Sequence, residues 1–151
     1  MPGLYLEEFY VGQRFTTEPV VLSESEIIAF AEKYDPQPLH TDKAAAEKSI
    51  YGGLIASGFQ TIAIAAGQWL RTGQQEGTGL GGPGLRNIRW LAPVRPGDVL
   101  HTTVEVADTR VSRSKPDRGI VQFAYTVRND TEIVATFTAI IFLKRRPDEE
   151  D

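Results

Sequence analysis

The run IASGFQTIAIAAGQWLRTG, residues 55–73, constrains this chain most, because it is apolar on nearly every face from Phe59 to Leu70. Ser57-Gly58-Phe59-Gln60 places a capping-box pattern at its start, so the run reads as a helix. A helix without a polar stripe belongs in an interior and needs other elements to cover it. The second half of the chain supplies them. Residues 85–93, 98–108, 120–128 and 132–143 read as four strands, parted by turns at Arg95-Pro96-Gly97-Asp98, at Ser112 to Gly119 and at Asn129-Asp130. In DVLHTTVEV, Leu100, Val104 and Val106 alternate with His101, Thr103 and Glu105, which gives that strand one apolar face. A twisted antiparallel sheet curled around the apolar helix lets the two surfaces bury each other, an α+β architecture.

With 151 residues, 41% hydrophobic and 24% charged, the chain has enough apolar material for one core and too little for two. A single domain over residues 1–151 is expected, with 1–10 and 145–151 as terminal extensions. The net charge of −4 argues against a nucleic-acid partner. The absence of cysteine removes disulfides, thiolate nucleophiles and cysteine metal sites. The opening MPGLYLEEFY does not read as a signal peptide, and no apolar stretch reaches membrane-spanning length. A cytoplasmic protein without a membrane partner is the expectation.

The first half is more irregular. Residues 12–22 contain a first strand. Ser23 then reads as an N-cap, with Glu26 completing a capping box and Leu22 stapled to Ile27. Ile27, Phe30, Ala31 and Tyr34 continue at helical spacing. The helix must end near Tyr34, since Pro36 and Pro38 drive Asp35 and Gln37 out of the helical region. Thr41 or Asp42 caps a short helix from Lys43 to Lys48, which Tyr51-Gly52-Gly53 breaks. Residues 73–84, GQQEGTGLGGPG, read as a mobile loop, and Trp69 and Trp90 as core residues.

The stretch YDPQPLHTD sets a carboxylate, Asp35, and an imidazole, His40, on either side of two prolines. Both groups move protons, and fixing φ at Pro36 and Pro38 limits the conformations they must surrender to face one reaction centre. On its own the segment reads more simply as Asp35 closing a turn beside a surface His40.

Three segments change that balance: Asp35, Pro38, His40 and Asp42 in DPQPLHTD, GLIASG at 53–58, and PVRPGD at 93–98. Together they resemble the MaoC-like dehydratases, a group that includes the (R)-specific enoyl-CoA hydratases and has the hot-dog fold, and the resemblance covers nearly the whole chain. It implies a lyase that adds water reversibly to a trans-2-enoyl thioester, giving an (R)-3-hydroxyacyl thioester. Asp35 and His40 would hold one water and handle both proton transfers, while the Gly58 amide donates to the thioester oxygen. The chain departs from the family pattern at Gln37, where asparagine is usual, and at Ser57, where histidine is usual. A serine that some hydratases carry along the helix would fall at Ala66.

Ser57 and Gln37 are candidates for substrate contact. Arg95, Arg113, Lys115 and Arg118 are candidates for the coenzyme A phosphates. The last three are equally well explained as a solvated hairpin tip. Asp42 caps the following helix, with support of the His40 segment as a lesser alternative; His101 has no assigned role. No metal or cofactor is implied, because the acyl-CoA or acyl-carrier-protein thioester is the substrate. Uncovered sheet edges call for a homodimer or higher even oligomer, with the ligand tunnel between subunits. Two rival readings use the same fold: an acyl-CoA thioesterase, and a non-catalytic acyl-CoA-binding protein.

Overall fold

The computed structural model describes residues 2–147. In chain order the regular elements are β1 (Arg14–Thr16), β2 (Val20–Val21), α1 (Glu24–Tyr34), α2 (Pro38–Thr41), α3 (Lys43–Glu47), α4 (Gly58–Arg71), β3 (Gly84–Trp90), β4 (Val99–Val111), β5 (Arg118–Arg128) and β6 (Ile133–Lys144). The strands pair antiparallel in the order β1-β4-β5-β6-β3, with β2 on the start of β4. Period-2 patterning places one apolar face inward: along β5 every second residue from Gly119 to Val127 is buried. α4 lies on that face and buries Ala65 and Trp69. The Trp69 ring packs against Phe123 and Phe15 at centroid distances of 4.9 and 5.2 Å. Each such large side chain removed from water stabilises the fold by roughly 1.5–3 kcal/mol. A curved antiparallel sheet holding one helix is the hot-dog arrangement. No helix among the described residues is long and apolar enough to cross a membrane.

The helix is less uniform than its sequence suggests. Its buried face carries Gln60, Thr61 and Gln68, while Phe59 and Leu70 on the other side are 60% and 54% exposed. The Gln68 amide nitrogen donates to the carbonyls of Glu18 and Leu100, both at 2.9 Å, and its oxygen accepts from the Thr102 hydroxyl at 2.6 Å. One carboxamide therefore ties α4 to β4 and to the β1–β2 connection. Gln68→Ala strands the Thr102 hydroxyl in the core, removes a donor from the Leu100 carbonyl and opens a cavity, an expected loss of about 2–4 kcal/mol in urea unfolding. A loss below about 0.5 kcal/mol would remove this network from the account of stability.

At Ser23 the capping box with Glu26 forms as expected. At Ser57 it does not. The Ser57 hydroxyl accepts from Phe59 N–H at 3.2 Å, while Gln60 turns inward and donates to the Glu26 carbonyl at 3.1 Å. Burial of Gln60 against α1 overrides the local pattern.

Residues 1–10, read as an extension, contribute Leu6 and Phe9 to the core at 4% and 3% exposure. The N–H groups of Gly3 and Leu4 donate to the carbonyls of Glu76 and Gln74. At the other end Arg145 and Arg146 pair with Glu7 and Glu8, each at 3.1 Å. Residues 148–151 of the second extension lie outside the described residues. The segment 73–84, expected as a mobile loop, is packed instead. Leu80 N–H donates to the Phe142 carbonyl, Phe142 N–H to Gly81 and Lys144 N–H to Thr78, and Thr78 is buried. Gly73, Gly77 and Gly81 have φ near +80°, +74° and +79°, and Gly82 lies so close to the Ile140 carbonyl that no side chain fits. Glycine density here reports tight turning and close approach.

Candidate active site

α1 stops where the prolines require it. Asp35 is its C-cap and donates its N–H to the Ala31 carbonyl at 2.8 Å. Pro38 then occupies the first position of α2, where a missing N–H has no intrahelical partner to lose. The segment between Asp35 and Asp42 is therefore partly helical, and His40 stands on its single turn. Asp42 accepts the Ala45 N–H at 3.1 Å and caps α3, while the Thr41 hydroxyl donates to the Gln37 carbonyl. That decides between the two capping candidates.

His40 is buried, and its Nδ1 lies 2.7 Å from the Ile55 carbonyl. A carbonyl can only accept, so Nδ1 carries the proton and the neutral ring keeps its lone pair on Nε2. Nε2 faces Asp35 Oδ2 at 3.4 Å. The carboxylate is held from two further directions: Gln37 Nε2 donates to Oδ1 and the Ser57 hydroxyl donates to Oδ2, each at 2.7 Å. These two hydrogen bonds, Gln37 first, hold the Asp35 pKa below the usual carboxylate value against the opposing effect of burial, and a positive charge on His40, when the ring is protonated, adds to the lowering. An ionised oxygen and a ring lone pair thus converge on one space. A small donor such as water can bridge them.

Gly58 opens α4, so its amide has no acceptor within the helix. With Asp35 and His40 it lines a cavity of about 530 Å³ walled by Leu39, Ile55, Phe59, Trp90 and Val94. Trp90, expected in the core, is half exposed and covers Gly58; a Cβ at residue 58 would collide with its indole ring. Glycine is needed there as much for Trp90 as for any ligand. Trp90 reaches this place through a bulge in β3, where Arg86 pairs with Thr138 but Arg89 pairs with Thr136. The extra residue, near Asn87 at φ +54°, turns Trp90 to the inner face beside Ala135. Strand alternation carried no sign of it.

The remaining candidates divide. Gln37 lines the cavity with its amide nitrogen on Asp35, whereas Ser57 is fully buried behind Asp35 and does not line it. Arg95 is exposed and does not line the cavity, but its Nη2 donates to the carbonyl of the lining residue Tyr51 at 2.7 Å. Arg113, Lys115 and Arg118 do not join the site. Val134, at the start of β6, lines the cavity, while Arg118 pairs with Lys144 at the other end of that strand. That separation is about 33 Å at the usual rise of a strand. Arg118 is moreover held by Asp117 at 2.9 Å. Turn spacing located the hairpin but not the end of the sheet to which it belongs. Ala66 does not line the cavity, and His101 is exposed beside Asp130.

Residues 8–129 match the family described as the MaoC like domain. The uncharacterized protein YdeM of Bacillus subtilis is 35% identical over 85% of this chain and 89% of its own length. A 3-hydroxybutyryl-CoA dehydratase of Methylorubrum extorquens is 28% identical over 97% and 88%. The crystal structure of a MaoC-like dehydratase from Rhodospirillum rubrum superposes with a TM-score of 0.89 at 39% identity, covering 96% of this chain and 99% of that one. Agreement in sequence over most of the length, and in fold over nearly all of it, makes this chain a member of the MaoC-like dehydratase family.

Proposed function

We propose that the protein is a hydro-lyase, reversibly hydrating a trans-2-enoyl thioester to the (R)-3-hydroxyacyl thioester. The observation that carries this reading is the approach of Asp35 Oδ2 and His40 Nε2 to 3.4 Å at a cavity that Gly58, the first residue of α4, also lines. Water held by both groups loses a proton to the Nε2 lone pair as its oxygen bonds to C3 of the substrate. The imidazolium so formed, steadied by the ionised Asp35, returns a proton to C2, so that H and OH are both accounted for. Between these steps the thioester oxygen carries developing negative charge. An N–H at a helix N-terminus stabilises it, helped by the positive end of the helix dipole.

The apolar wall suits an acyl chain, and the exposed Arg95, bonded to the lining residue Tyr51, suits a phosphate of coenzyme A or of a carrier-protein arm. The name of the Methylorubrum extorquens relative points to the same class of thioester. The test is to add the protein to crotonyl-CoA and follow enoyl absorbance together with free thiol. Loss of absorbance without thiol release is the expected result. Thiol release would instead identify a thioesterase. Neither change, with crotonyl-CoA or with longer enoyl-CoAs, would leave only acyl-CoA binding.

A homodimer belongs to the same reading. Among the described residues β3 pairs only with β6, leaving an edge that carries the exposed Leu85 and Trp90. Antiparallel pairing of two such edges would turn the Arg113–Arg118 hairpin of a second copy toward the site end of the first. Light scattering is expected to give twice the chain mass at micromolar concentration; a monomer there would sink the dimer.

A further inference from the structure

We propose that Ser57 and Gln37 are positioning residues, which hold the Asp35 carboxylate from two sides so that Oδ2 stays aimed at the space before His40 Nε2. The kinetic part of this proposal rests on the hydration reading; the geometric part does not. A carboxylate turns freely about its last torsion, where no staggered well holds it. Something else must set its plane. Each oxygen has its own donor, Gln37 Nε2 on Oδ1 and the Ser57 hydroxyl on Oδ2, both at 2.7 Å.

Neither donor is loosely placed. The Gln37 N–H donates to the Asp35 carbonyl at 2.7 Å, and the flanking Pro36 and Pro38 have fixed φ, so the chain folds back and returns the Gln37 side chain to Asp35. Ser57 is 0% exposed, and its oxygen already accepts the Phe59 N–H, which leaves its single hydrogen for Asp35. Ser57 also belongs to the segment that fixes the other parts of the site. Ile55, two residues before it, accepts from His40 Nδ1, and Gly58, the next residue, presents its amide at the start of α4. One buried hydroxyl therefore sets the spacing between the carboxylate and that amide.

The test uses Gln37→Ala, Ser57→Ala and Ser57→Gly, the last because glycine remains a favourable N-cap and separates loss of the hydroxyl from loss of the helix cap. Asp35 Cγ is followed by ¹³C NMR titration of the full chain, its signal assigned by its absence in Asp35→Asn. The wild-type midpoint is expected below that of an ordinary carboxylate, and it should move up in all three variants. With crotonyl-CoA, kcat should fall about 10- to 100-fold while KM changes less than about twofold, the pattern of a displaced group rather than a lost contact. An unmoved midpoint in folded variants overturns the proposal, whatever the activity. A moved midpoint with unchanged kcat in an active enzyme overturns the positioning role. If the wild type hydrates no enoyl thioester, the hydration reading falls, and the midpoint alone upholds or overturns the hold on the carboxylate.

Discussion

Asp35→Asn is expected to lower turnover of an enoyl thioester by about 10²- to 10⁴-fold, the usual scale of a positioned acid-base group, while the protein stays folded. The two side chains are nearly isosteric, so the loss would come from polarity. Asp35 accepts at both oxygens, from Gln37 on one and from Ser57 on the other, with His40 Nε2 facing the second. An amide accepts on one side only. Its NH₂ must then confront either the Gln37 donor or the pair formed by Ser57 and His40. In the second orientation it can donate to the Nε2 lone pair and take the place of the water. The measurement is crotonyl-CoA kinetics beside a thermal unfolding curve, and unchanged turnover in folded protein would remove Asp35 from the mechanism.

His40→Gln is expected to lose a similar factor, for a different reason. Glutamine can still donate to the Ile55 carbonyl, which His40 Nδ1 contacts at 2.7 Å, so the local structure has a means to persist. What it lacks is a lone pair basic enough to take a proton from water near neutral pH. Because both groups act on one water, the double variant should be little slower than the worse single one. Multiplying losses would mean that the two residues act separately. Full activity in folded His40→Gln would end the base assignment.

Part of this site was legible before any coordinates. Pro36 and Pro38 marked the end of α1 and placed Asp35 just beyond it, whereas pairing Asp35 with His40 came from the family resemblance, since the segment alone reads as a turn beside a surface histidine. The role of Ser57 was only half legible: its place as N-cap follows from local pattern, but its bond to Asp35, 22 residues away, does not. Gln37 could be read as a substrate contact, and it does line the cavity, but its bond to Asp35 depends on the backbone fold-back.

Local chemistry along the chain determined the caps at Ser23, Asp42 and Ser57, the four long strands and the helix they cover, because these depend on patterns within a few residues. Tertiary structure alone decided which polar groups of α4 face inward, that Trp90 crosses to Gly58, that the glycine-rich segment packs on β6, and that the basic hairpin lies at the far end of the sheet. Each of these turns on register, a bulge or a contact between distant segments. Such features are set by what the completed sheet and helix leave to be buried or bonded, and no short window of sequence encodes that.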